Sequence, residues 1–335
     1  MNKVLLVAVG LILLCALGVV GSVPAVSFEG NVKVCWNWFS DDCAVDLSLP
    51  GVGAAVWIDD WNEDGRKDLI ACNYSLFPHS VYRGSHVYYF ENTATDASPG
   101  FSYAYPVEAD GRALSAETGS YLTRVDFNGD GRPDFLYSYG SFGFTSAYGS
   151  HLELYLAAPE GAGDFASPQP LADVDGSPIP GGSHHTADWN GDGLFDLLLG
   201  LVGASDESFV LLYLNTGTLE EPSFAPAERL MAGGTVIREG YGNNPFAADW
   251  DRDGKQDLIL RRGDQFLFLR NIGTESAPAL DVPADILTHS GETLLVSAGA
   301  SGDPFAVVDW NNDGWLDIVA GNYEGKIEIH LGSAP

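Results

Sequence analysis

Apolar positions along this chain gather into short runs broken by turns rich in Gly, Asp and Asn. The run "PFAVVD" (304–309) enters an acidic turn, and "DIVA" (317–320) leaves it. Runs this short read as two strands joined by the turn, not as helices. The unit recurs five times, with turns "DWNEDGRKD" from Asp60, "DFNGDGRPD" from Asp126, "DWNGDGLFD" from Asp188, "DWDRDGKQD" from Asp249 and "DWNNDGWLD" from Asp309. Their first residues are 66, 62, 61 and 60 positions apart. A third apolar run follows each: "HVYYFEN" (86–92), "HLELYLA" (151–157), "FVLLYLN" (209–215), "QFLFLRN" (265–271) and "KIEIHLG" (326–332). Segments such as "PVEADGRAL" (106–114) and "PSFAPAERL" (222–230) then supply a fourth strand with its exit turn.

Four strands per unit of about sixty residues, repeated in tandem, predict an all-β chain folded as a five-bladed β-propeller of four-stranded blades. The repeats read as one domain over residues 23–335, preceded by a leader at 1–22. The last repeat stops three residues after "KIEIHLG", before any fourth strand. A strand within residues 24–36 is expected to complete that blade, so that the N- and C-terminal strands pair, close the ring and remove exposed sheet edges.

Within each nine-residue turn, positions 1, 3, 5 and 9 carry side-chain oxygens, position 6 is Gly, and position 7 offers a backbone carbonyl. Calcium takes several oxygen ligands in a flexible shell, and Gly permits the tight turn that such a cage needs. The predicted ligand sets are Asp60, Asn62, Asp64, Arg66 and Asp68; Asp126, Asn128, Asp130, Arg132 and Asp134; Asp188, Asn190, Asp192, Leu194 and Asp196; Asp249, Asp251, Asp253, Lys255 and Asp257; and Asp309, Asn311, Asp313, Trp315 and Asp317. The third member from the end of each loop, at position 7, contributes only its carbonyl. About five Ca2+ ions, one per blade, follow. An EF-hand is excluded, because its position 12 must be Glu and here it is Ala71, Tyr137, Leu199, Leu260 or Ala320. Asp, Asn and Gly also make turns without metal; five copies in register argue against that for the set. Position 2 holds Trp61, Phe127, Trp189, Trp250 or Trp310, which alternation turns away from the cage and into packing.

These repeats resemble the FG-GAP or VCBS-type propellers, similar to the integrin α head, over about residues 52–335. The resemblance implies calcium loops joining the first two strands of each blade, on one face. Familiar members are often seven-bladed, so the count of five rests on this sequence alone.

Composition adds limits. Forty-six acids against 16 bases give a net charge of −30, which repels nucleic acid and anionic membranes alike. Sixteen of the acids stand at positions 1, 3, 5 and 9 of the five turns, where five divalent ions would offset ten charges. The run Val4–Val20 after Lys3, followed by Gly21, Ser22 and Ala25, reads as a secretory signal peptide, with a retained N-terminal membrane anchor as the alternative. The chain is therefore expected to be secreted or at the cell surface. Cys35, Cys43 and Cys72 permit one disulfide, and the sequence does not choose the pair.

Function is expected on the face opposite the acidic turns, where the loops differ between repeats. "NYSLFPHSVYRGS" and "SYGSFGFTSAYGS" supply Tyr74, His79, Tyr82, Arg83 and Tyr139, aromatic and polar groups suited to a sugar ring or a protein patch. His184 and His185 replace apolar residues in an inner strand, as does Arg124; each marks either a polar pocket or hydrogen-bonded structure. "RGD" at Arg262 to Asp264 reads chiefly as a hairpin turn. Two functions stand: a calcium-binding adhesion module for a glycan or cell-surface protein, or a polysaccharide lyase acting on uronic-acid polymers, with a Tyr or His base beside a cation. No GxSxG, zinc or phosphate-loop motif is present.

Overall fold

A computed structural model describes residues 27–33, 52–74, 85–96, 99–109, 112–116, 120–139, 151–157, 165–202, 208–238, 244–296, 305–321 and 327–333. Among them there is no helix, and so none long and apolar enough to cross a membrane; the apolar run at 4–20 lies outside the described residues. The strands form five small antiparallel sheets, the blades of a β-propeller, each of four strands with a fifth short strand, Ser115–Ala116, added to the first.

Blade one runs Val52–Asp59, Asp68–Tyr74, Ser85–Asn92 and Phe101–Pro106, from inner to outer strand. Blade two is Ser120–Val125, Asp134–Tyr139, Glu153–Tyr155 and Gln169–Pro170. Blade three is Ser183–Ala187, Asp196–Val202, Ser208–Tyr213 and Glu228–Arg229. Blade four is Asn244–Ala248, Asp257–Arg262, Gln265–Leu269 and Ala284–Asp285. Blade five is Phe305–Val308, Asp317–Gly321 and Ile327–Ser333, with Ser27–Lys33 paired antiparallel to the last of these, Val32 opposite Ile329. The inner strands touch in the order one, two, three, four, five and back to one.

The apolar runs do not alternate because each second strand is buried on both sides. Leu197 and Leu199 pack with Leu136 and Leu154 of blade two, whereas Leu198 packs with Leu258 and Leu260 of blade four. Ile259 meets Phe305 and Ile318 of blade five; Val319 meets Val56 and Leu69 of blade one. Ile70 of blade one completes the circuit against Leu122 and Phe135 of blade two. Every apolar cluster is thus a seam between neighbours, so no blade has a complete core of its own.

The expected outer strand of blade one at 106–114 is shifted. The outer strand is Phe101–Pro106; Glu108–Ala109 and Arg112–Ala113 make a small hairpin beyond it, and Ser115–Ala116 returns to pair with Ser85 and His86 of the third strand. "RGD" is turn chemistry: Gly263 has φ 64°, and Arg262 donates to Gln265 Oε1 across the hairpin at 2.8 Å.

Candidate metal centre

All five acidic turns join the inner to the second strand of a blade, so they share one face of the propeller. Their backbones repeat closely. Position 6 Gly has φ between 83° and 88° (Gly65, Gly131, Gly193, Gly254, Gly314), and position 4 is also left-handed in every loop, at Glu63, Gly129, Gly191, Arg252 and Asn312. The two left-handed residues curl the chain round the acidic side chains.

Hydrogen bonds hold those side chains inward. The position 6 N–H donates to Oδ2 of the position 1 Asp at 2.8–3.0 Å in all five loops. The position 7 N–H donates to Oδ1 of the position 5 Asp at 2.8–3.1 Å. In loops one, two, three and five the position 5 N–H also donates to Oδ1 of position 1 at 3.0 Å, and the Asn at position 3 donates its amide to the position 5 carboxylate.

The position 9 Asp is fully buried in each loop. Its Oδ2 accepts the position 2 N–H at 2.7–3.1 Å. Its Oδ1 accepts, at 2.7 Å, the N–H of Asn92, Ala157, Asn215, Asn271 or Gly332 at the end of the third strand. One carboxylate therefore ties the loop to two strands. Burial pushes these acids up, Asp196 and Asp257 to about 6 and Asp317 to about 7, with Asp68 and Asp134 raised in the same sense. Ionising them in the bare loop is unfavourable, and a cation would reverse that.

Loop four differs, because Asp251 stands where the other loops have Asn and cannot donate. Arg270, at the end of the third strand, takes the place of the missing amide: its terminal nitrogen donates to Asp253 Oδ2 at 3.3 Å, and its Nε forms an ion pair with Asp251 Oδ2 at 2.5 Å. Carboxylate oxygens of Asp249, Asp251 and Asp257 all lie within 4.8 Å of one another, and Asp249 Oδ1 is buried with no hydrogen-bond partner. An orphaned carboxylate oxygen facing two more carboxylates fits a calcium ion, which would complete its coordination and offset the charge. Asp249, Asp251, Asp253 and Asp257 with the Lys255 carbonyl would hold it, and the matching residues of the other four loops would hold theirs.

The position 4 residue has a second role that its spacing did not reveal, since in each loop it meets the next blade. Glu63 Oε1 is 3.7 Å from an Arg124 terminal nitrogen. A Cβ on Gly129 would sit 2.4 Å from Leu219, and one on Gly191 would sit 2.5 Å from Glu275. The Arg252 guanidinium lies 3.7 Å over the Trp315 ring. Asn312 donates to Asp96 at 2.9 Å and accepts from Lys67 Nζ at 2.5 Å, joining blade five to blade one. The acidic turns thus form a belt of contacts round one face.

Position 2 packs as expected: Phe127, Trp189, Trp250 and Trp310 are buried in the seams, with Trp61 partly so. Arg124 is explained by a partner in the preceding blade. It donates to the Asp60 carbonyl at 2.6 Å and to Asp59 Oδ2 at 3.1 Å, with its guanidinium 5.0 Å from the Trp61 ring centre. His184 is buried, its Nδ1 3.1 Å from the Gly182 carbonyl and its Nε2 3.3 Å from that of Leu136, and burial pushes it down to about 4. His185 stacks on Phe246 with ring centres 3.9 Å apart and is likewise pushed down to about 4. Both are neutral, packed histidines. Tyr74 and Tyr139 end second strands away from the acidic turns, and nothing is described of their side chains; His79, Tyr82 and Arg83 lie outside the described residues.

Sequence reading missed the buried Asn92, Asn215 and Asn271. Each Oδ1 accepts two N–H groups of the turn into the outer strand: Ala94 and Gly100, Gly217 and Ser223, Gly273 and Ala279. The signal was the shared final Asn of "HVYYFEN", "FVLLYLN" and "QFLFLRN".

The family described as FG-GAP-like repeat matches residues 126–199 and 188–260. No curated protein matches the chain in sequence. Among solved structures, 84% of the chain is similar to a chain of the Photorhabdus luminescens Tc holotoxin pore, at 14% identity and TM-score 0.39. A lectin of Agrocybe aegerita, solved for its recognition of non-reducing terminal N-acetylglucosamine, is similar over 85% of the chain at 18% identity and TM-score 0.37. The V. cholerae biofilm matrix protein Bap1 is similar over 85% at 13% identity and TM-score 0.29. The chain spans 14%, 67% and 45% of these three, respectively.

Proposed function

We propose that this five-bladed β-propeller, whose residues 126–199 and 188–260 match the FG-GAP-like repeat, is a secreted, calcium-loaded binding module for a glycan or a cell-surface protein. The observation that carries the calcium part is the recurrence of one cage five times on one face, with Asp249 Oδ1 left orphaned and buried in the fourth. Calcium would act structurally. It would cancel repulsion among the loop acids and lock a belt that already links each blade to the next, so ion binding contributes to folding stability at extracellular calcium levels.

The binding part rests on sequence and topology. The second strands of blades one and two end away from the acidic turns, and the segments that follow hold His79, Tyr82, Arg83 and further aromatics. Aromatic faces beside a few polar groups offer apolar area at little entropic cost. Function lives in such loops more than in the scaffold.

The test is retention on a glycan array and on cell-surface protein extracts, in calcium and in chelator, beside an assay for unsaturated uronic-acid products. Calcium-dependent retention without product formation supports the binding module. Release of unsaturated products establishes the lyase in its place, and absence of both removes the proposal.

A further inference from the structure

Loops two and three are nearly the same turn. "DFNGDGRPD" and "DWNGDGLFD" differ only at positions 2, 7 and 8, and their backbones agree: φ is 67° and 70° at position 4, 83° and 85° at position 6. The hydrogen bonds among positions 1, 3, 5 and 7 match one for one. What separates them is charge. The Arg132 side chain at position 7 turns back onto its own loop and lies 2.6 Å from Asp130 Oδ2, whereas loop three has Leu194 there.

The same device recurs in two other blades. Arg66 pairs with Asp64 in loop one, and Lys255 lies 2.9 Å from Asp253 in loop four, where Arg270 adds a second cation. Among the described residues, no basic side chain pairs with Asp188, Asp192 or Asp196 of loop three. Loop five has Trp315 at position 7, but Arg252 covers that ring and Lys67 reaches Asn312, so cations stand at its edge.

We propose that the position 7 side chain grades calcium affinity round the ring: loop three fills first, and loops one, two and four, whose position 5 carboxylates already carry an internal cation, fill later. The inference rests on the calcium reading above. A calcium ion entering loop two must share Asp130 with a guanidinium, or displace it into water. A unit charge held about 6 Å from a divalent ion in a water-like medium lowers affinity about tenfold. Screening at physiological ionic strength reduces this to about threefold. These side chains are partly exposed, so the screened figure applies. The backbone carbonyl at position 7 is the same for any residue, and the effect belongs to the side chain alone.

The experiment is calorimetric calcium titration of the full chain carrying a reciprocal exchange, Arg132→Leu and, separately, Leu194→Arg, at low and at physiological salt. Asp192→Asn identifies the tightest step by removing it. Arg132→Leu is expected to tighten one of the weaker sites about threefold at physiological salt, and more at low salt; Leu194→Arg should weaken the tightest step by a similar factor. Five equal sites, or an exchange that leaves both constants in place, or a change independent of salt, would overturn the grading while leaving calcium binding standing. No calcium heat in the parent chain would overturn both.

Discussion

Chelation at different pH values probes the buried position 9 acids directly. In the metal-free protein, burial raises Asp196 and Asp257 to about 6 and Asp317 to about 7, from an ordinary 3.8. A carboxyl raised on folding binds its proton more tightly in the folded state. Its contribution is therefore lost as pH climbs from the unfolded value through the folded one, between about pH 4 and 7. At about 1.4 kcal/mol per pH decade, Asp196 and Asp257 each cost the metal-free fold about 3 kcal/mol by neutral pH, and Asp317 about 4. Three histidines act the other way. His184, His185 and His330 are pushed down to about 4 by burial, so between pH 4 and 6.5 their contribution rises with pH. The raw melting curve mixes the two sets, but the histidines are common to loaded and chelated protein and drop out of the difference. The melting temperature in calcium minus that in chelator should accordingly be small near pH 4.5 and widen steadily to pH 7.5, by many degrees in all at about 1–2 °C per kcal/mol for a chain of this length. Thermal melts across that range test it. A difference that stays constant, or shrinks toward neutral pH, refutes the argument that ionised position 9 carboxylates need a cation.

Other outcomes follow from particular contacts. Gly129→Ala combines left-handed φ with a Cβ 2.4 Å from Leu219 and should cost about 2–3 kcal/mol in urea unfolding, against about 1 for Gly131→Ala, whose Cβ meets open space. Arg270→Leu should destabilise the protein, and Asp251→Asn in the same chain should recover about 1–2 kcal/mol of that by restoring the amide donor of the other loops; a double-mutant cycle measures the coupling. Deleting residues up to 36 should uncover the edge of Ile327–Ser333, lowering the melting temperature and promoting self-association seen by light scattering, if the terminal strands close the ring.

Much of the architecture was legible because one strong signal repeats. A turn such as Asp188 to Asp196 fixes where two strands meet, and five turns fix five blades. Flanks such as "DLLLG" are apolar at every position because both faces of the strand are seams, a pattern that length and bounding turns resolve. The outer strand of blade one was misplaced because its edge pairing depends on Asn92 turning the chain toward Gly100, a side-chain contact with no periodicity. Arg124 and Asp59 each break the pattern of their repeats, yet their pairing crosses a seam that sequence order does not display. The position 4 residues, so different from one another, share only a left-handed backbone and a neighbour, and both are visible only in three dimensions.

The most direct measurement is the anomalous scattering of crystals grown with a saturating lanthanide in place of calcium. The account predicts five peaks in a ring on one face, each within coordinating distance of the position 1, 3, 5 and 9 side chains of one loop. Peaks elsewhere, or none in the loops, would contradict it.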